Sequence, residues 1–311
     1  MTTAQAHPNI ALVKYWGKQE RSGNFPATPN LSITLAGLTT TTQVTGAAED
    51  TFVLNDATAD DPKLRRWLET LRGSFDIPPL TIHSSNDFPT SAGLASSASG
   101  FAALITAINA HCELGLDHAM CSEWARVGSA SAARSIFGGF VALVPPQWWA
   151  VPMAKKEHWP LEVVVAVTST EAKGVSSGEG MECSRLTSPY YNAWLRDAAA
   201  DFTAASDAIS SKDFTALGAV AELSCLKMHS VMLTSRPTLS YWTPASITCM
   251  DRVRELRAKG NDVFFTVDAG PQIKAVCLPS SADAVADALS ETPGVIKVIR
   301  STLGDGARVL E

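Results

Sequence analysis

The chain has 311 residues, of which 46% are hydrophobic and 18% are charged, and its formal net charge is −6. This composition supplies a sizeable core and excludes an intrinsically disordered chain. The 25 basic residues are outnumbered by 31 acidic ones and form no run, which argues against a nucleic-acid surface. We find no apolar run near the roughly 20 residues of a membrane span, so no membrane partner is expected either.

Six cysteines are scattered along the chain, without CxxC pairs or the Cys/His spacing of a zinc site. In a chain of this size they indicate buried thiols in a reduced compartment. Residues 1–10 are polar and lack the apolar core of a signal peptide. We therefore expect a soluble, cytoplasmic protein, and the length predicts two domains of roughly 150 residues each.

The first part of the chain is predicted to be mostly strands up to about residue 85. Apolar or β-branched runs bounded by proline and glycine predict strands at residues 10–13, 31–35, 39–44, 80–83 and, later, 140–144. Residues 62–71 are predicted to form a helix, since four apolar side chains recur there at helical spacing: Leu64, Trp67, Leu68 and Leu71. A second helix is predicted to end at about His111.

A new set of elements begins after a charged stretch near residue 156, so we place a domain boundary near residue 160. The predicted domains are residues 1–160 and 161–311. Strands are predicted at residues 161–167, 262–267, 273–278 and 295–299. Helices are predicted at residues 192–209, 214–229, 246–259 and 282–289. Interleaved strands and helices of mixed character favour the α+β class.

A stretch of small and polar residues, 89–100, directly precedes the second predicted helix. Helix N-termini expose unpaired N–H groups and the positive end of the dipole, which suits a phosphate. Gly93 permits close approach, while Ser96 and Ser97 offer hydroxyls to a phosphate or to Mg²⁺. Neither the GxxxxGK[ST] nor the GxGxxG pattern is present. The alternative interpretation is a serine-rich cap on a buried helix.

Residues 128–139 are also small, with a single charge, Arg134, set among them. A buried arginine needs acceptors, and a carboxylate or phosphate is the partner that its planar fork matches. Arg134 is therefore a candidate for binding an anionic ligand. An internal ion pair is the alternative.

Asp268 follows an apolar predicted strand and enters a Gly-Pro turn. A carboxylate at a strand end can act as a general base or bind a metal, and the alternative is an aspartate that caps the turn. Lys14 and Lys18 flank a glycine and could converge on one polyanion. As an isolated feature, this pair is more simply explained as two solvated lysines.

Taken together, these motifs resemble those of one family, the diphosphomevalonate decarboxylases of the GHMP kinase superfamily, in order and spacing over essentially the whole length. The motifs are Asn9-Ile-Ala-Leu-Val-Lys-Tyr-Trp-Gly-Lys18, the segment 86–100 with its Ala-Ser-Ser-Ala-Ser-Gly run, the segment 129–139 around Arg134, and Asp268-Ala-Gly-Pro271. The segment 173–181 also looks like the phosphate-side loop of that family.

The resemblance implies a two-domain GHMP kinase fold. Residues 1–160 would form an ATP-binding α/β domain like that of a small-subunit ribosomal protein, and residues 161–311 a ferredoxin-like α+β domain. The implied activity uses ATP and Mg²⁺ to convert mevalonate 5-diphosphate to isopentenyl diphosphate, ADP, phosphate and CO₂. The family also implies a homodimer.

Residue roles follow from the same resemblance. Asp268 would orient or deprotonate the 3-hydroxyl, Lys14 would hold Asp268 ionised and stabilise the transferring phosphoryl group, and Arg134 would bind the substrate carboxylate. The 5-phosphates would be held by Tyr15, Lys18, Ser129, Ser131 and Ser177. Gly93, Ser96 and Ser97 would hold the ATP phosphates with Mg²⁺, whose own ligands the sequence does not assign.

Three positions depart from the usual family pattern. Thr28-Pro-Asn-Leu-Ser32 replaces Asn-Ser-Ser-Leu-Ser, Gln272 replaces an asparagine, and Gly178 stands where some bacterial members have an arginine. With Gly178, Lys18 is expected to be the main cation left for the distal phosphate. A decarboxylase of mevalonate 5-phosphate and a mevalonate-type kinase remain alternatives. A non-catalytic regulator would not need Asp268, so the complete set of Lys14, Arg134 and Asp268 argues against that class.

Overall fold

The computed structural model describes residues 1–88, 96–171 and 174–310. Its strands are β1 (Thr2–Ala6), β2 (Asn9–Val13), β3 (Asn30–Thr34), β4 (Thr40–Gly46), β5 (Thr51–Leu54), β6 (Ala57–Thr58), β7 (Leu80–Asn86), β8 (Phe140–Leu143), β9 (Ala150–Ala154), β10 (Glu162–Val167), β11 (Val263–Thr266), β12 (Ile273–Cys277), β13 (Lys297–Thr302) and β14 (Arg308–Leu310). Its α-helices are α1 (Pro62–Arg72), α2 (Ser96–His111), α3 (His118–Gly128), α4 (Ala132–Ser135), α5 (Ser177–Thr187), α6 (Tyr191–Ser211), α7 (Phe214–Leu233), α8 (Pro244–Ala258) and α9 (Ala282–Ser290).

The strands form three sheets, and the predicted α+β class is confirmed. The first sheet has the order β14-β1-β4-β7-β5-β6 and is antiparallel except where β5 pairs with β7. The second, β2-β3-β8-β9, and the third, β11-β12-β10-β13, are antiparallel throughout. Strand β14 pairs with β1, so the last strand joins the sheet formed by the start of the chain.

Helix α1 forms as its apolar periodicity predicts. Its four apolar side chains at helical spacing are all buried, and the Asp61 carboxylate caps its start by accepting hydrogen bonds from the backbone N–H groups of Lys63 and Leu64. Pro62 occupies the first turn, where a missing N–H group has no cost. The cap and the buried face together fix where this helix lies along the cleft described below.

Strand β10 is apolar on both faces because both are covered. Val163, Val165 and Val167 belong to a core with helices α6 and α7 and strands β2 and β3. The alternate residues, Val164 and Ala166, belong to a second core with helices α8 and α9. The first of these cores joins side chains from both halves of the chain, so α6 and α7 connect the third sheet to the second. The boundary predicted near residue 160, between β9 and β10, stays a prediction.

Helix α7 corrects the expectation that no segment is long and apolar enough to span a membrane. By length and composition this helix qualifies, with 56% of the stretch buried. Its buried side chains include His229 and Ser224, and it packs against α6, β2 and β11. Core helices of soluble proteins share this composition, so the feature is weak evidence for a membrane.

The thiols are unpaired, as predicted. Four are buried, and the structure corrects the expectation of burial for Cys112 and Cys183, which are partly exposed.

Candidate active site

A cleft of about 950 Å³ opens where the ends of several elements meet. It is lined by the residues after β2, by one face of α1, by the start of α2, by the segment joining α3 to α4, by the start of α5 and by the turn after β11. Ten of the eleven predicted site residues line it: Lys14, Tyr15, Lys18, Ser96, Ser97, Ser129, Ser131, Arg134, Ser177 and Asp268. The eleventh, Gly93, lies outside the described residues.

Asp268 is held between two lysines, one on each carboxylate oxygen. Lys14 Nζ lies 2.6 Å from Oδ1, and Lys274 Nζ lies 3.2 Å from Oδ2. Both lysine side chains are 1% exposed, whereas a quarter of the Asp268 side chain is exposed. The carboxylate thus faces the cleft while its counter-ions are enclosed.

The charge of this site follows from the paired lysines. Burial by itself would raise the pKa of Asp268, but the two ammonium groups outweigh it and hold that pKa well below its usual range. Asp268 is therefore ionised at neutral pH, as predicted from Lys14. Lys274 was not anticipated, since it lies within an apolar strand with no motif around it.

The Arg134 guanidinium is buried, with 2% of the residue exposed. Its Nε donates to Ser32 Oγ at 2.9 Å, one Nη donates to Asn9 Oδ1 at 3.1 Å, and the other donates to Asn30 Oδ1. In the described part of the chain no carboxylate forms an ion pair with it, so the alternative of an internal ion pair is wrong. Burial lowers the pKa of Arg134 to about 10, against the opposing attraction of Asp268, and the group remains charged at neutral pH.

These three neutral partners fix the plane of the guanidinium without cancelling its charge. A guanidinium has five N–H donors, so three hydrogen bonds leave donors available to an anion in the cleft. Asn30 is oriented in turn by its own donation to the Thr28 carbonyl at 3.0 Å. The departure at residues 28–32 therefore lies directly behind Arg134, where Asn30 and Ser32 support its charge.

Lys18 is positioned by a short excursion of the chain between Gly17 and Ala27. Gly17 has φ +125°, which glycine adopts readily, and Ala27 N donates to the Gly17 carbonyl at 3.0 Å. At the tip, Asn24 Oδ1 accepts from Lys18 Nζ at 2.7 Å, and Asn24 Nδ2 donates to the Val127 carbonyl at 2.6 Å. Partial burial lowers the pKa of Lys18, an effect that nearby Glu182 opposes.

Hydroxyl groups also cluster in the cleft. Ser129 Oγ lies 3.4 Å from Ser97 Oγ and 3.3 Å from Ser131 Oγ. This contact joins a serine predicted to hold ATP to two predicted to hold the substrate, as a phosphoryl transfer between the two ligands requires. The Tyr15 hydroxyl is buried without a hydrogen-bond partner among the described residues, and burial raises its pKa, so it remains a donor.

Ser177 does not lie in a loop, as the segment 173–181 suggested, but in the first turn of helix α5. Ser176 caps this helix: its Oγ accepts from the Glu179 backbone N–H, and the Glu179 side chain accepts from the Ser176 N–H. The helix N-terminus lines the cleft, and a Cβ placed on Gly178 would lie 3.9 Å from Lys18 Nζ. Lys173 lies outside the described residues.

Two further cations line the cleft, and the expectation that Lys18 is the main one left for the distal phosphate stays a prediction. Helix α1 brings Lys63 and Arg66 to the cleft, next to Trp67 and Thr70. This helix was predicted from its apolar face, and its polar face was not considered as part of a binding site. The departure at Gln272, by contrast, is structural: its side chain bonds the backbone of Thr168 and Ser169 and does not line the cleft.

The described residues offer hydroxyl oxygens for magnesium. Among residues 1–88, 96–171 and 174–310, no group of three His, Cys, Asp or Glu side chains could hold a metal ion. The Ser96 and Ser97 hydroxyls at the start of α2 line the cleft and suit a cation already bound to phosphates.

Comparisons with known families match both halves of the chain. Residues 6–147 match the diphosphomevalonate decarboxylase-like N-terminal domain, and residues 163–306 match the mevalonate 5-diphosphate decarboxylase C-terminal domain.

Individual relatives agree. The diphosphomevalonate decarboxylase of Candida albicans is 33% identical, over 96% of this chain and 94% of the relative. The crystal structure of mevalonate diphosphate decarboxylase from Staphylococcus aureus is 34% identical, with a TM-score of 0.93 over all of this chain and 98% of that one. A structure of MDDEF in complex with MVAPP, AMPPCP and magnesium is 36% identical, with a TM-score of 0.91 over the same shares.

Proposed function

Because the chain belongs to the diphosphomevalonate decarboxylase family, we propose that it converts mevalonate 5-diphosphate and ATP to isopentenyl diphosphate, ADP, phosphate and CO₂. One observation carries this proposal: Asp268, a quarter exposed and held by two lysines, lies in the same cleft as a buried Arg134 that has no carboxylate partner among the described residues. The ligands of the neighbour MDDEF, which are MVAPP, AMPPCP and magnesium, support the substrate and the use of MgATP.

The chemistry needs ATP because a tertiary hydroxyl is a poor leaving group. Transfer of the γ-phosphoryl group of ATP to the 3-hydroxyl converts it into a phosphate, and loss of that phosphate with CO₂ leaves the double bond of the product. The electron pair of the broken bond to the carboxylate carbon becomes the new π bond. ADP, phosphate and CO₂ then account for every atom that leaves.

Asp268 would orient the 3-hydroxyl and receive its proton as the oxygen bonds to phosphorus. Lys14, which pairs with Asp268 and lines the cleft, would stabilise charge on the transferring phosphoryl group. Arg134 would hold the substrate carboxylate in the plane that its three neutral partners set. A fixed carboxylate aligns the bond that breaks with the leaving phosphate.

The remaining cleft residues would divide between the two ligands. Tyr15, Lys18, Ser129, Ser131 and Ser177 would hold the 5-diphosphate, with Lys18 supplying charge and the others neutral donors. At the start of helix α2, Ser96 and Ser97 would hold the ATP phosphates with magnesium, together with Gly93.

We further propose that the protein is a cytoplasmic homodimer. The unpaired cysteines are typical of a reduced compartment, and the family resemblance supports a dimer. Size-exclusion chromatography with light scattering tests the assembly, and a monomer at working concentration would contradict it.

The reaction is tested by measuring ADP and CO₂ together in one assay with mevalonate 5-diphosphate and MgATP. We expect one CO₂ for each ADP. ADP without CO₂ would indicate a kinase instead, and binding of ATP without either product would indicate a regulator.

A further inference from the structure

Lys274 is the one member of the Asp268 cluster that the proposed reaction leaves without a task. It lies on β12, an interior strand paired with β10 and β11, and none of its surface is exposed. Its Nζ lies 3.2 Å from Asp268 Oδ2, on the oxygen that Lys14 does not contact. Lys14 and Asp268 line the cleft and Lys274 does not, so Lys274 acts from behind the carboxylate.

A fully buried ammonium is costly unless a carboxylate compensates it. Lys14 already provides one positive charge for Asp268, so a simple internal ion pair does not require a second. Together, Lys14, Asp268 and Lys274 carry a net positive charge beside the cleft. An excess of positive charge is useful where an anion is bound or where negative charge develops.

Other groups that interact with Asp268 come from two helices. Arg134, on α4, attracts it at longer range, while Cys225 and His229, on α7, lie beside it. Burial lowers the pKa of His229 to about 3 and raises that of Cys225, so both are neutral at physiological pH. The charges that act on Asp268 near neutral pH are therefore those of Lys14, Lys274 and Arg134.

We infer that Lys274 is a positioning residue that keeps Asp268 anionic and fixed when Lys14 turns its charge toward the transferring phosphoryl group. This inference rests on the proposed function, in which Lys14 serves both partners. If Lys14 were the only counter-ion, a movement of its ammonium group toward the phosphoryl group would leave the Asp268 carboxylate without a counter-ion. With Lys274 on the second oxygen, Asp268 keeps a counter-ion throughout.

The test is the pH profile of kcat for Lys274→Met and Lys274→Gln, with ADP and CO₂ both measured. Loss of one cation raises the pKa of Asp268, so we expect the acid limb of the profile to move up by about one pH unit or more. At pH 7 Asp268 stays ionised, so the loss there comes from a carboxylate that is no longer fixed: we expect kcat to fall about tenfold or more and KM for both substrates to stay within about threefold. Lys274→Arg keeps the positive charge, so the acid limb of its pH profile should lie at the wild-type position.

Lys227→Met is the matched control. Lys227 pairs with Asp201 at 2.9 Å between α6 and α7, outside the cleft lining. Its loss should lower the melting temperature without moving the acid limb. An unmoved limb in folded Lys274→Met or Lys274→Gln would overturn the inference, as would an equal shift in Lys227→Met or an upward shift in Lys274→Arg. Failure of the wild type to release CO₂ would instead overturn the proposed function.

Discussion

Asp268 is a weak base in the resting site, because two ammonium groups stabilise its charged form. Asp268 instead contributes by orienting the hydroxyl that reacts and by placing a fixed negative charge beside it. The hydroxyl proton becomes acidic only as its oxygen bonds to phosphorus, and a nearby carboxylate can take it at that stage. We therefore expect the proton to move to Asp268 during the phosphoryl transfer and not before it.

Asp268→Asn should therefore lose turnover while retaining ligands. The amide keeps the shape but removes the charge, and loss of a general base typically costs about 10²–10⁴ in rate. We expect kcat to fall within or beyond that range and the dissociation constant of mevalonate 5-diphosphate to change by less than about tenfold. Steady-state kinetics and calorimetry measure the two quantities. A near-normal kcat would remove Asp268 from the chemistry.

Arg134→Lys tests orientation separately from charge. Lysine keeps the positive charge but cannot reach Asn9, Asn30 and Ser32 at once, so the substrate carboxylate would no longer be held in one plane. We expect kcat for CO₂ release to fall by about 10² or more. A variant in which only KM for ATP changes would show that Arg134 serves the nucleotide.

Substitutions at Asn24 test whether the charge of Lys18 helps to bind the 5-diphosphate. Its neutral amide holds Lys18 Nζ at 2.7 Å, and its φ of +56° lies in the left-handed region that Asn, Asp and Gly tolerate best. Asn24→Asp would neutralise Lys18, so we expect KM for the 5-diphosphate to rise about tenfold. Asn24→Gly, which also loses the bond to Val127 but adds no charge, should have a smaller effect. Equal KM values for the Asp and Gly variants would contradict this role.

Residue-level prediction from the sequence succeeded where a residue type was conspicuous against its surroundings. Arg134 and Asp268 were found because each is a charge in an apolar or small-residue segment. Their partners were not, because contacts such as Arg134 to Asn30 join residues 104 positions apart. Asparagines on strands carry no local signal for such a contact.

At the scale of elements, the start of α5 places Gly178 beside Lys18 in the cleft. The capping box fixes the first turn, and Gly178 leaves space beside Lys18. A side chain at position 178 could therefore add charge to the phosphate side of the cleft without displacing the backbone.

Gly178→Arg should raise the preference for mevalonate 5-diphosphate over the 5-monophosphate. A charge-assisted hydrogen bond is worth about 1.5–3 kcal/mol, so we expect the ratio of kcat/KM values to rise by about tenfold. Gly178→Ala is the control, since it alters helix propensity but adds no charge, and its ratio should match the wild type. An unchanged ratio in Gly178→Arg would place the distal phosphate elsewhere.

Elements were predicted best where the apolar pattern is clear, as a continuous run in β10 or as helical spacing in α1 and α8. Strands β1, β5, β6, β9 and β14 and helices α3, α4 and α5 were missed. Strand β1 is mostly polar and small and is fixed by pairing with β4 and β14, a contact between the two ends of the chain. Helix α5 is rich in small and polar residues and depends on its cap. Strands such as β1 are set by partners distant in sequence, which local patterns cannot indicate, whereas the Ser176–Glu179 capping box of α5 is a local signal that sequence reasoning overlooked.

Across the whole molecule, the cleft is built from both halves of the chain. The cations Lys14, Lys18 and Arg134 come from the first half, whereas Asp268 and Lys274 come from the second. Lys14 N also donates to Ser224 Oγ at 2.9 Å, which ties the end of β2 to α7. Packing between the halves therefore sets the catalytic distance between Lys14 and Asp268.

The central claim is that this cleft decarboxylates mevalonate 5-diphosphate at the expense of ATP. The most direct test measures kcat/KM on the wild-type protein with mevalonate 5-diphosphate and with mevalonate 5-phosphate, recording ADP and CO₂ in each case. We expect equal amounts of ADP and CO₂ and a clear preference for the 5-diphosphate. Equal or higher kcat/KM with the 5-phosphate, or ADP formed without CO₂, would contradict the account.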